Sequence, residues 1–154
     1  MHAYYLDQPD RTLSADALAA EGILSWHLPT DPEAYAAPLD AIRKERGYVE
    51  MDQIHLGETT ENLDALCTKF FREHLHRDEE IRFVVAGAGI FDLRDANDEW
   101  MRVHVGPGDL IIVPADKYHR FTLDEQRTIT CKRLFQDTSG WTPIDREPAA
   151  DQAG

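Results

Sequence analysis

Between Glu73 and Phe135 turn signals recur at roughly ten-residue spacing, and the segments between them are short and rich in β-branched and aromatic residues. That rhythm disfavours long helices in this half of the chain and points to an all-β sandwich or barrel. Glu80–Ala86 and Ile90–Arg94 flank Gly87–Gly89 and are expected to pair as a hairpin. Asp95–Glu99 reads as a polar turn leading into a strand over Trp100–Val105. Gly106-Pro107-Gly108-Asp109 is a strong turn, because glycine permits left-handed backbone and proline fixes its own φ. Leu110–Val113, Tyr118–Thr122 and Thr128–Phe135 follow as strands.

The first seventy residues mix element types. His2–Leu6, Ile23–Leu28 and Val49–Leu56 are expected strands. Ser14 is placed to cap a short helix that Gly22 closes. Pro38–Arg46 reads as a helix that begins near proline and ends at Gly47. Thr60–Phe71 carries Leu63, Leu66, Cys67 and Phe70 at the spacing of one helical stripe. A chain of 154 residues suits one domain, expected over 1–145, with Arg146 to Gly154 as a flexible tail.

A formal net charge of −13 argues against nucleic acid and against an anionic membrane surface, since both need a basic stripe that the sequence lacks. No run approaches the roughly eighteen apolar residues of a membrane span. The N-terminus lacks the cationic start and apolar run of a secretion signal. Cys67 and Cys131 belong to no CxxC and are expected to be reduced. These features lead us to expect a cytoplasmic, soluble chain, and a monomer at this size.

His74-Leu75-His76 puts two imidazoles on one face of extended chain, Glu80 follows at the start of a strand, and His119 stands beside a later turn. Taken singly, each histidine reads most simply as a surface or hydrogen-bonded residue. Together, three imidazoles and one carboxylate form a borderline-soft donor set suited to Fe(II), Ni(II), Mn(II), Co(II) or Zn(II). Strand alternation places Arg82 on the face of Glu80, Phe121 on the face of His119, and Arg133 on the face of Cys131. An inward arginine is costly unless an anion meets it, so Arg82 and Arg133 are either members of structural ion pairs or anion binders. Phe70 and Phe121, judged by periodicity alone, read as core.

The spacing of these residues resembles that of the cupins. Six residues separate Glu80 from Gly87, five separate Gly108 from Pro114, and His119 follows. Asp116 stands where the cupin pattern prefers glycine, and aspartate is among the few residues that tolerate positive φ. The longer stretches IRKERGY (42–48), FFREHLHRDEEIRF (70–83), FDLRD (91–95) and GDLIIVPADKYHRFTLDE (108–125), with Arg133-Leu134-Phe135 and Trp141, resemble the acireductone dioxygenase family of methionine salvage. The resemblance implies a mainly β, cupin-type double-stranded β-helix (a jelly-roll barrel) with a few flanking helices. It implies His74, His76, Glu80 and His119 as ligands of one Fe(II) or Ni(II). It also implies Arg82 and Arg133 as catalytic arginines on the substrate, and Phe70, Phe121 and Trp141 around it. The implied reaction cleaves the acireductone 1,2-dihydroxy-3-keto-5-methylthiopentene with O2. Iron would give formate and 4-methylthio-2-oxobutanoate; nickel would give formate, CO and 3-methylthiopropionate.

Two other readings stay open on the residues alone: a cupin isomerase using zinc, and a non-catalytic metal- or ligand-binding cupin. The first would want a cluster of Lys and Arg for phosphate, and the second would not need inward arginines. His2, His27, His55 and His104 have no place in the site and read as surface or structural residues.

Overall fold

The computed structural model describes residues 1–136 and 143–146. Strands β1 (His2–Tyr5), β2 (Gln8–Thr12), β3 (Leu24–His27), β4 (Glu50–Leu56) and β5 (His74–Leu75) alternate with helices α1 (Ala15–Ala20), α2 (Pro32–Arg46) and α3 (Leu63–Phe70). Strands β6 (Glu80–Gly87), β7 (Gly89–Arg94), β8 (Trp100–Val105), β9 (Asp109–Val113), β10 (His119–Leu123), β11 (Ile129–Phe135) and β12 (Ile144–Asp145) follow without an intervening helix. They form a seven-stranded sheet ordered β12-β5-β10-β7-β8-β1-β2 and a five-stranded sheet ordered β3-β9-β6-β11-β4. Every described strand pair is antiparallel.

The expected hairpin across Gly87–Gly89 does not form. β6 pairs with β9 and β11, whereas β7 pairs with β8 and β10, so the chain crosses from one sheet to the other at Ala88. Gly87 makes the corner possible. Its φ is +75°, and a Cβ there would lie 2.3 Å from the carbonyl oxygen of Thr128. The same glycine-rich composition serves a tight turn and a sheet-to-sheet crossing, so alternation alone does not fix the strand partners. The hairpin of this region is β7–β8, closed by Asp95, whose Oδ1 accepts from the backbone N–H groups of Asn97 and Glu99. Later connections cross between the sheets again, the mark of a jelly roll.

Strand alternation produces two apolar layers. One lies between the sheets and includes Val84, Phe91, Leu93, Val103, Ile111 and Ile129. The other lies outside the small sheet, where Ile81, Phe83, Leu110 and Ile112 pack with Leu39 and Ile42 of α2. Glu80, Arg82 and Val84 are thereby turned to the interior, while Ile81 and Phe83 face the helix. Because β9 is covered on both faces, all five of its residues are buried.

α2 begins at Pro32, not at Pro38. Asp31 caps it by accepting from Glu33 N–H, and Pro32 needs no donor in the first turn. Pro38 lies inside the helix, so the expected start there is overturned: the proline of the first turn is Pro32. Gly47 ends it at φ 73°, with Tyr48 N–H returning to the Arg43 carbonyl. α1 is capped by Ser14 as expected, and α3 is shorter than Thr60–Phe71 and only half-buried. Asp116 does adopt positive φ, 64°. Arg146, the first residue of the expected tail, pairs with Glu73 and Asp98, and 147–154 lie outside the described residues. Among the described residues no helix is long and apolar enough to cross a membrane.

Candidate metal centre

His119 on β10 pairs in register with His74 on β5, so one antiparallel bridge brings two imidazoles from distant sequence side by side. His76 follows β5, and Glu80 opens β6. One ligand nitrogen from each of His74, His76 and His119 lies within 4.8 Å of the others. Glu80 joins them: Oε2 is 2.7 Å from His119 Nε2, and Oε1 is 3.8 Å from His76 Nε2. His74 and His119 are buried.

Two of the rings are oriented by backbone. His74 Nδ1 lies 2.6 Å from the Arg72 carbonyl, and His119 Nδ1 lies 2.9 Å from the Lys117 carbonyl. A carbonyl only accepts, so each Nδ1 carries a proton, and in the neutral ring each Nε2 has its lone pair to offer elsewhere. His119 Nε2 is buried and makes no aligned hydrogen bond, despite its closeness to Glu80. A set of imidazole nitrogens and one carboxylate converging in this way is able to hold a divalent transition-metal ion.

The electrostatics agree. Burial works against the Glu80 anion, but the positive charge of Arg82 and the His119 ring outweigh it and hold the carboxyl well below its usual range. Burial lowers the pKa of His74, with His119 adding to the effect. His119 itself is buried, which disfavours a charged ring, yet Glu80 raises its pKa. The centre thus favours a carboxylate opposite a positive charge.

These side chains form one end of a cavity of about 240 Å³. Arg82 Nη2 donates to Glu80 Oε1 at 2.7 Å, and its Nη1 donates to the Ile81 carbonyl. Arg133 stands opposite Arg82 across β11 and β6, and its Nε and Nη2 donate to the two oxygens of Asp52. Both expected arginines therefore line the cavity while also being paired to carboxylates. Phe70 and Phe121 meet edge to face with centroids 6.4 Å apart, and with Leu56, Val84, Phe91 and Ile129 they make the apolar end. Trp141 lies outside the described residues.

Cys131 also lines the cavity, and burial pushes its thiol pKa up. Both cysteines are free. Among the polar and mouth-lining residues, Lys69, Arg72, Pro143 and Asp145 at the cavity and Asp52 beside it carry no site signal in the sequence. Pro143 and Asp145 reach the mouth because β12 pairs with β5, and a two-residue strand leaves no periodicity to read. Asp52 was hidden in an expected strand, 81 positions from its partner Arg133. The other histidines lie elsewhere: His104 bonds Tyr4, His27 bonds Asp109, and His55 bonds Thr130.

The profile of the ARD/ARD′ family matches residues 5–143. The chain belongs to this family. Among curated relatives, the acireductone dioxygenase of Heterostelium pallidum is 50% identical over 146 residues, covering 95% of this chain and 98% of that protein. The acireductone dioxygenase of Dictyostelium discoideum is 45% identical, with 95% and 99% covered. That of Rattus norvegicus is 43% identical, with 90% and 78% covered. Among solved structures, an acireductone dioxygenase from Bacillus anthracis with a cadmium ion in its active centre superimposes with a TM-score of 0.86. It is 28% identical, with 93% of this chain and 96% of that chain covered. The fold is accordingly that of the ARD/ARD′ cupins, a family of enzymes, and the match reaches across both sheets.

Proposed function

We propose that the chain is an acireductone dioxygenase of methionine salvage, working with one Fe(II) or Ni(II) held by His74, His76, Glu80 and His119. The observation that carries this reading is the convergence of those side chains at one end of a cavity whose wall also presents Arg82 and Arg133. Two inward lone pairs, fixed by Nδ1–H bonds to carbonyls, and a carboxylate with depressed pKa are what a divalent cation requires. Homologous proteins that bear the same enzyme name along nearly their whole length support it. When bound, the ion supplies Lewis acidity and a template for two neighbouring substrate oxygens.

The chain's own residues bind, orient and exclude water. Arg82 and Arg133 receive the anionic enediolate head and stabilise its charge by charge-assisted hydrogen bonds. Phe70 and Phe121 accept the methylthio tail, for which an apolar wall is suited, and the family resemblance assigns Trp141 to the same role. Of the other ionisable side chains lining the cavity, Arg72 and Asp145 pair with each other, Lys69 stands beside Phe70, and none of them takes a proton-transfer role in this reading. Glu80 is assigned to the ion, and Cys131 stays a protonated thiol. Product identity is then expected to follow the loaded ion. The iron form should yield formate and the keto acid, and the nickel form should yield formate, CO and methylthiopropionate.

The test is reconstitution. Metal-free protein is loaded separately with Fe(II) and Ni(II), mixed anaerobically with the acireductone, and exposed to oxygen. Loss of substrate absorbance, headspace CO and keto acid are measured together. CO from the nickel form and keto acid from the iron form is the expected outcome. No substrate loss in either form would overturn the reading, and identical products from both would overturn the role of the ion.

A further inference from the structure

Across the small sheet, Asp52, Arg133 and Arg82 occupy directly opposed positions on β4, β11 and β6. The row places two guanidinium groups on adjacent strands, and like charges directly opposite one another repel. Arg82 is held from its own strand by Glu80. Arg133 is held from the far side, where both oxygens of Asp52 accept its Nε and Nη2 in a fork-to-fork pair. Asp52 is on the edge strand, half exposed, and is not among the residues that line the cavity, whereas Arg133 is.

We propose that Asp52 is a positioning residue: it acts through Arg133, holding that guanidinium at the cavity wall against the repulsion of Arg82. This rests on the functional reading above for its effect on turnover, but its geometry does not. An ion pair whose carboxylate is half exposed to water is weakened by solvent, so the fold has small need of this one. What the bidentate pair supplies is direction. Two parallel hydrogen bonds fix the plane of Arg133 more tightly than the Phe135 ring beneath it, 5.4 Å from its Cζ, could alone. Glutamate retains the fork and its charge, asparagine keeps the size but loses the charge, and alanine removes both.

The positioning half is read without activity. In the full-length protein loaded with zinc, which is diamagnetic, the Arg133 Nε–H resonance should report an ordered side chain. Its order should fall measurably in Asp52→Asn and Asp52→Ala and be kept in Asp52→Glu, with melting temperatures close to wild type. An Arg133 side chain equally ordered in Asp52→Asn overturns the proposal, whatever the enzyme does. The coupling half is a double-mutant cycle on the iron-loaded enzyme. Asp52→Asn should lower kcat/KM by about tenfold, chiefly through KM, with metal content unchanged, and should have no further effect in an Arg133→Met background. Equal losses in both backgrounds overturn it, because Asp52 would then act independently of Arg133. If wild type fails to consume the acireductone, the functional reading falls, and the resonance test still decides the role of Asp52.

Discussion

His119 Nε2 and Glu80 Oε2 stand 2.7 Å apart without the alignment of a hydrogen bond. With Nδ1–H committed to the Lys117 carbonyl, Nε2 of a neutral His119 ring would meet the Glu80 carboxylate lone pair to lone pair. Such a contact needs a shared cation or a proton. His119→Ala should therefore leave metal content well below stoichiometric after dialysis against a weak chelator. Added metal should raise the melting temperature of wild type but not of the variant, since metal binding adds to folding free energy. Full metal retention by the variant would remove His119 from the proposed ligand set.

Arg82 contacts Glu80 and lines the cavity, so its replacement separates binding from metal retention. Arg82→Met keeps apolar volume but removes the cation. Truncating one member of a buried charge pair costs about 2–5 kcal/mol. Turnover efficiency is expected to fall by roughly 30-fold or more, at about 1.4 kcal/mol per tenfold. Metal analysis beside steady-state kinetics checks this, and unchanged kinetics would make Arg82 a structural residue.

Gly87 tests the sheet-to-sheet corner. An alanine there would combine positive φ with a Cβ placed against the Thr128 carbonyl and the Ile129 backbone. Gly87→Ala should destabilise the protein by about 1–3 kcal/mol through backbone strain alone, and by more if β11 is displaced. Urea unfolding measures the loss, and a wild-type midpoint would show that the corner relaxes freely.

Asp95 links the β7–β8 turn to β1 and carries a pH signature. Burial disfavours its charge, but the N–H groups of Glu99 and Asn97 and the Tyr5 hydroxyl outweigh burial and lower its pKa. A depressed carboxyl contributes stability that is present above its unfolded pKa and lost as pH falls through its folded pKa. The stability gap between wild type and Asp95→Asn should thus be full near neutral pH and close in the acid range, below about pH 4. Tyr5, whose pKa the Asp95 hydrogen bond and burial push up to about 12, behaves in the opposite sense. Its contribution holds through neutral pH and disappears as pH rises through about 12. Urea titrations at several pH values distinguish both from a pH-independent gap.

Much of this was readable from one dimension. Trp100–Val105 has the bounds expected of it, because its alternation is strict and its flanks are turns. Glu80, Arg82 and Val84 share the cavity face because a strand repeats every two residues. Partnership was less legible. The segments β6 and β7 were found, but a glycine-rich link does not say whether its flanks pair with each other or part company. β5 and β12 are too short for periodicity, and β2 has no buried residue to mark an apolar face. At the site, the donor types advertise their chemistry. Asp52 does not, because an aspartate in a strand has meaning only once its cross-strand neighbour is known.

The bridge between His74 and His119 has a consequence for how the protein is made. During synthesis the first three proposed ligands emerge close together, whereas the fourth follows only after β6, β7, β8 and β9 have been produced. Until β10 docks beside β5, a nascent chain offers at most three of the four proposed ligands. Tight retention of an ion is thus a readout of sheet closure, so chains that stall or misfold before that stage should compete poorly for scarce metal.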